Sequence, residues 1–185
     1  MERQYYDIFI ALAVKDFPDG YALDCMETNP RHWTICAKIQ ITRNTPFLQK
    51  KVQGIGLYAG PNIDIFPLDQ VPRESSVVQT CQGFIVDVLK VMLWIKTGYT
   101  TKISGWKRRL LAVASNFFSI QAIQGLIDKV MRHYNGKSYK YLVNYGSMYS
   151  VKKETFRKDF YGTPREISFE KKVSYIPQKA EDMLK

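Results

Sequence analysis

One short run, Asn62-Ile63-Asp64-Ile65-Phe66-Pro67-Leu68-Asp69, restricts the fold more than any other part of the chain. Its apolar, β-prone residues ask for a strand, Pro67 must end that strand, and one carboxylate, Asp64, stands in its middle. On a strand's two-residue period Ile63 and Ile65 share one face while Asp64 and Phe66 share the other. An ionised carboxylate beside an aromatic ring is costly to bury unless it is hydrogen-bonded, paired or bound to a metal. The residues leave two readings open: Asp64 accepts hydrogen bonds from backbone or an arginine in an ordinary sheet, or it binds a metal ion. If the strand stays extended, Asp69 lies roughly 16 Å further on at about 3.3 Å per residue. That is too far to share an ion, so Asp69 reads as a turn residue.

The flanking sequence alternates helix and strand signals. Tyr5, Ile8, Phe9, Leu12 and Ala13 follow helical spacing and predict a first helix, broken by Pro18-Asp19-Gly20. Short strands are predicted over 21–26 and 34–41, with turns at Asn29-Pro30-Arg31 and Asn44-Thr45-Pro46. Gly54, Gly56 and Gly60 have no Lys-Ser/Thr after them, so they predict close backbone approach in a strand or bulge and not a phosphate loop. From Glu74 a helix is predicted with an apolar face of Phe84, Ile85, Val88, Leu89, Met92 and Ile95, with Asp87 and Lys90 off that face and Gly98 at its end. Ser104 caps a second helix carrying Trp106, Leu110, Val113 and Phe117, and 120–134 forms a third, stopped by Asn135-Gly136. Beyond them a strand is predicted over 138–143, a short helix or loop over 152–156, a hairpin turning at Glu170-Lys171-Lys172, and a helix from Gln178.

With 185 residues, 45% of them hydrophobic, such a chain can bury a core as one domain or as a domain with a helical appendage. Cys25, Cys36 and Cys81 are far apart, without metal spacing or nearby His partners, which argues against zinc or a disulfide framework and fits a reducing cytoplasm. The apolar stretch 84–95 is interrupted by Asp87 and Lys90 and is too short to span a bilayer, so a soluble or peripheral protein is expected. The net charge of +10 favours an anionic partner: nucleic acid, nucleotide, glycan or membrane surface. His32 and His133 have no partner at catalytic or metal spacing and read as surface or loop residues.

Several phrases, in order, resemble the LicD family of phosphorylcholine transferases. Met1, Arg3 and Tyr6 match a Met-x-Arg-x-x-Tyr helix start, with Glu2 and Tyr5 departing from it. Pro18-Asp19-Gly20-Tyr21, Glu27-Thr28, Ala37-Lys38-Ile39 and Asn44-Thr45 follow. Ile63 to Asp69 with Val71-Pro72 is the most specific match, and Tyr145-Gly146, Lys153-Glu154 and Phe156 extend the likeness toward the C-terminal end. The family places an Asp-x-Asp cluster directly before the Met-x-Arg helix, and this sequence has no Asp-x-Asp triplet. The resemblance therefore implies that Met1 is an internal methionine and that both ends of the protein continue.

The resemblance implies an α+β fold: a small mixed sheet of a nucleotidyltransferase-like core (1–73), a helical region inserted or appended (74–136), and a C-terminal α/β segment completing the domain (137–185). It implies a Mg²⁺- or Mn²⁺-dependent phosphotransferase that moves phosphorylcholine, or a similar phospho-alcohol, from CDP-choline or a related nucleotide donor to a sugar hydroxyl. The acceptor would be a cell-surface glycan, lipopolysaccharide or lipid-linked sugar, reached from the cytoplasm or the inner face of the membrane. Asp64 would be a metal ligand or the base on the acceptor hydroxyl, while Arg3, Lys38, Thr45 and Lys153 would bind substrate. Lys38 is the first choice among the cations because it stands in an apolar strand. Tyr21, Trp33 and Tyr58 offer aromatic faces for a quaternary ammonium, but none is singled out. Residues 102–118 combine four basic side chains with Trp106, Leu110, Leu111 and Phe117, a pattern that suits either an anionic membrane surface or an ordinary packed helix. Two other classes stand beside the enzyme: a catalytically silent binder of anionic glycan or membrane surface, and a nucleic-acid module. Dispersed basic residues and the lack of a reader motif argue against the latter.

Overall fold

A computed structural model describes residues 1–42, 49–51, 58–59, 61–72, 77–99, 105–147 and 149–183. Thr45, Ser104 and the glycines Gly54, Gly56 and Gly60 lie outside the described residues. The chain has an α+β fold. Helix α1 (Arg3–Ala13) leads through a turn, where Gly20 takes a positive φ of 84°, into β1 (Tyr21–Asp24). Strands β2 (Ala37–Ile41), β3 (Gln49–Lys51), β4 (Tyr58–Ala59), β5 (Asn62–Ile65) and β6 (Asp69–Val71) follow. Then come α2 (Val77–Thr97), α3 (Gly105–Asn116) and α4 (Ile120–Met131), which runs into a 3₁₀ turn over Arg132–Tyr134. The remainder is β7 (Tyr141–Val143), β8 (Thr155–Arg157), a 3₁₀ turn over Lys158–Phe160, β9 (Arg165–Phe169), β10 (Lys172–Ile176) and the short α5 (Ala180–Met183).

The named strands pair antiparallel in two three-stranded sheets, β1-β2-β5 and β6-β7-β8, and two hairpin pairs, β3-β4 and β9-β10. Parallel pairing occurs at one isolated bridge, Glu2 to Leu68. Pro67 separates β5 from β6, as its missing N–H requires. The hairpin β9-β10 turns at Glu170 and Lys171, both with positive φ (47° and 66°), the geometry of a tight two-residue loop.

Strand β6 pairs with β7 across the whole helical segment, so the three helices leave and return to one sheet. One hydrophobic cluster draws on every part of this arrangement: Ile35 before β2, Val71 of β6, Val86, Met92 and Leu93 of α2, Ile123, Ile127 and Met131 of α4, and Val143 and Tyr145 around β7. A smaller cluster of Ile10, Cys25 and Ala37 ties α1 to the β1-β2 sheet.

The buried face of α2 is only partly the expected one: Met92 is in the core and Val88 and Leu89 pack against it, but the face is rotated. Phe84 is 69% exposed and Ile85 46%, while Gln79, Gln82, Gly83, Val86, Lys90, Leu93 and Thr97 form the inward stripe at steps of three and four. The polar members are there because each has a partner. Gln79 bonds Thr155, Gln82 Nε2 donates to the Val130 carbonyl at 2.6 Å, and Lys90 Nζ donates to the Tyr145 carbonyl at 3.1 Å. Gly83 sits where an added Cβ would overlap Val151, which lets the loop before β8 approach α2 closely. By length and composition α2 is the one described helix that could cross a membrane, and here it is the central helix of the bundle, packed on both α3 and α4.

Candidate functional site

The first group of polar side chains lies on the β1-β2-β5 sheet. Register pairs Lys38 directly opposite Asp64, and Lys38 Nζ donates to Asp64 Oδ1 at 2.6 Å. The lysine side chain is 10% exposed and the carboxylate 33%, so the pair sits at the boundary between sheet and solvent. A cross-strand lysine thus meets the hydrogen-bonding need of Asp64, in the sense of the ordinary-sheet reading, with Lys in place of backbone or Arg. Lys38 Nζ also lies 5.9 Å from the Trp33 ring, which stacks on Tyr99 at 3.8 Å between centroids, with Trp94 tilted beside Tyr99.

Asp64 opens onto a pocket of about 390 Å³ shared with Met1, Phe66, Asn144, Glu154, Phe156 and Tyr161. Phe66 is one of its walls and fills the space in front of Gly146, where an added Cβ would overlap its ring. Glu154 adds a second carboxylate, with Oε1 accepting from Ser147 Oγ at 2.8 Å. The N-terminal residues run into the same pocket. The Met1 nitrogen donates to the Phe66 carbonyl at 2.9 Å, Leu68 N–H to the Met1 carbonyl at 2.8 Å, and Arg3 N–H to the Leu68 carbonyl at 3.0 Å. This parallel ladder fixes the direction in which residues before α1 pass beside Asp64.

The second group corrects the expectation for Asp69. Asp69 is not a turn residue but the first residue of β6, fully buried. Arg3 is buried, at 8% exposed, and grips Asp69 with both prongs, Nε to Oδ1 at 2.8 Å and NH2 to Oδ2 at 2.6 Å, while it also borders a cavity between α1 and α4. Asn135 Nδ2 adds a third bond to Asp69 at 2.6 Å while its own Oδ1 accepts from Gln70 N–H at 2.7 Å. Arg3 NH1 reaches Asp128 at 3.4 Å, and Arg132 bridges Asp128 and Asp7, each at 2.6 Å. The hydrogen bonds from Arg132 to Asp7 and Asp128 hold its guanidinium firmly charged. Burial raises the Tyr145 phenol well above its usual range, and the Asp69 carboxylate pushes it in the same direction. The group is a clasp joining α1, β6 and the end of α4. Pro67 separates β5 from β6, and in β6 Asp69 meets Arg3 and Asn135 instead of forming a turn.

The third group centres on His32, which lies in a loop, one of the two expectations for it, but is 1% exposed and so not at the surface. Its Nδ1 lies 3.3 Å from Asp24 Oδ2, and its Nε2 lies 2.8 Å from Thr34 Oγ1 and 2.9 Å from the Cys36 carbonyl. Asn29 Nδ2 donates to Asp24 Oδ1 and Gln124 Nε2 to the His32 carbonyl, which fastens the loop before β2 to α4. His32, Thr34, Cys36 and Gln124 border a cavity of about 640 Å³ between α1 and α4. Burial raises the thiols of Cys25 and Cys36 nearby.

Of the sequence-derived candidates, then, Lys38 and Asp64 come together. Arg3 belongs to the Asp69 clasp. Lys153 is exposed, with Nζ 5.9 Å from the Tyr149 ring. Glu154 stands in a motif of the sequence that assigns it no role, and Asn144, another polar wall of the pocket, carries no sequence signal. Among the described residues no group of three His, Cys, Asp or Glu side chains gathers to hold a metal ion. Compared with known proteins, the chain matches no family model, no curated protein and no solved structure.

Proposed function

We propose that the Lys38–Asp64 pocket carries out phosphoryl-group transfer of the LicD type, moving phosphorylcholine or a related phospho-alcohol from a CDP-activated donor to a sugar hydroxyl. The observation that carries the proposal is the 2.6 Å pairing of Lys38 with Asp64, a carboxylate that lines a pocket and stands in the most family-like phrase of the sequence. The direction of the parallel ladder adds to it, since the segment leading into α1 passes the same carboxylate.

In the reaction the acceptor oxygen forms a bond to the phosphorus that bears the alcohol, the bond from that phosphorus to the leaving CMP oxygen breaks, and the hydroxyl proton passes to Asp64. Lys38 supplies positive charge for the phosphate oxygens and orients Asp64 until substrate replaces it. The stacked Trp33 and Tyr99 lie beside Lys38 and would offer an aromatic face to the alcohol end of a donor held by that lysine. Mg²⁺ needs about six oxygen ligands in near-octahedral geometry, and the pocket offers two carboxylates among the described residues. That donor set does not by itself complete a site, and no step is assigned to the ion. The same shortage favours a second reading, a pocket that binds an anionic glycan without turning it over.

The test is CMP release from CDP-choline in the presence of Mg²⁺ and a sugar acceptor, by the wild-type protein and by Asp64→Asn. Wild-type release that Asp64→Asn abolishes, with an unchanged circular dichroism spectrum, supports transfer. Release that survives in Asp64→Asn removes the residue from the mechanism. Glycan binding without any CMP release selects the binder.

A further inference from the structure

Helix α3 presents its apolar side to water. Trp106, Leu110, Val113 and Phe117 are 70%, 60%, 58% and 81% exposed. Their spacing of four, three and four residues confines them to an arc of about 60° on one side of the helix. The opposite side packs on the molecule through the smaller Leu111, Ala114 and buried Ser115. A helix that only completed a soluble core would be rotated the other way, because the outward stripe holds more apolar surface than the inward one. Cations edge the stripe. Lys107, Arg108 and Arg109 are all exposed, Lys107 and Arg109 lie on its two flanks, and Lys107 Nζ is 5.9 Å from the Trp106 ring. Between Asp87 and Asp128 the sequence contains no acidic residue and six basic ones: Lys90, Lys96, Lys102, Lys107, Arg108 and Arg109.

We infer that α3 is an in-plane docking surface for an anionic lipid bilayer. Charge complementarity selects the occupant. An apolar partner protein would be served by the stripe but not by flanking cations without a single acid, and a nucleic acid by the cations but not by four large apolar side chains. At 12 residues α3 is too short to span a bilayer, so it lies along the interface, with the stripe toward the acyl chains and the cations at the headgroups. Trp106 stands at the start of the helix beside Lys107, where an indole suits the headgroup level. The surface is separate from the Lys38–Asp64 pocket and stands whether or not that pocket is catalytic.

The experiment is co-sedimentation of the whole protein with vesicles of phosphatidylcholine alone and of phosphatidylcholine with phosphatidylserine. Binding to the anionic vesicles only is expected. It should fall by about a hundredfold in the triple variant Lys107→Gln/Arg108→Gln/Arg109→Gln, since each cation near the surface contributes about a fivefold factor. Trp106→Ser/Phe117→Ser should also abolish it, with circular dichroism unchanged because both residues are exposed. Equal binding to both vesicles, binding to neither, or binding that survives both variants overturns the proposal. So does a concentration-dependent dimer that Phe117→Ser dissolves in the absence of any vesicle binding.

Discussion

Replacing Asp69 with Asn should strongly destabilise the protein, although it changes one oxygen to nitrogen. The carboxylate is fully buried and accepts from both prongs of Arg3 and from Asn135, while Arg3 is itself 8% exposed. Asp69→Asn therefore leaves a buried guanidinium without its charged partner, compensated by the one amide oxygen, the longer 3.4 Å contact to Asp128 and the Tyr6 ring at 5.5 Å. Removing one partner of a buried ion pair costs about 3–5 kcal/mol, against a total of roughly 5–15 kcal/mol for a domain. With a urea dependence of about 2 kcal/mol per molar, the unfolding midpoint should fall by about 2 M. The same reasoning makes Arg3→Met comparably harmful and the double variant Arg3→Met/Asp69→Leu less harmful than either, because no unpaired charge remains apart from the donor left on Asn135. Urea titrations followed by circular dichroism would measure all three. A midpoint shift under about 0.5 M for Asp69→Asn, or a double variant as unstable as the sum of the singles, would refute the reasoning.

Three further outcomes follow from particular contacts. Gly83→Ala, ordinarily stabilising in a helix, should destabilise by about 1–3 kcal/mol because its Cβ overlaps Val151, and Val151→Ala should relieve most of that loss in the double variant. Tyr6 and Tyr145 have phenols raised above the usual value of 10 chiefly by burial, so the folded state keeps these protons while the unfolded state releases them. Stability should be intact below about pH 10 and decline above it, and ultraviolet titration should show both tyrosines ionising only with unfolding. At pH 8 a thiol reagent should modify exposed Cys81 rapidly and Cys25 and Cys36 only after denaturation, since those two are buried with raised thiols. Equal rates at all three would contradict that burial.

Local signals in the sequence translated well where backbone chemistry decides the outcome. Pro67 ends β5, Gly98 and Gly136 stop helices with positive φ, and Glu170-Lys171 turns the last hairpin. What periodicity could not supply was which side of an element a distant segment would cover. Helix α2 buries glutamines and a lysine because Thr155, Val130 and Tyr145 arrive from residues far along the chain to bond them, and Gly83 admits the loop before β8. The burial of His32 in its loop and of Asp69 was hidden for the same reason: Asp24, Gln124, Arg3 and Asn135, which justify it, are brought to them only by the tertiary fold. Lys38 and Asp64 were legible as candidates from their strand contexts. Their direct pairing depends on the β2-β5 register, which no single segment encodes.

The central claim is that a nucleotide-activated phospho-alcohol binds at Lys38 and Asp64, and the most direct test is a titration of CDP-choline into isotopically labelled protein, followed by backbone amide chemical shifts. The expected perturbations cluster at Lys38, Asp64, Phe66, Asn144, Glu154 and Tyr161, and disappear in Lys38→Met. Perturbations confined to the cavity around His32 and Gln124, or none at all at millimolar CDP-choline, would contradict it.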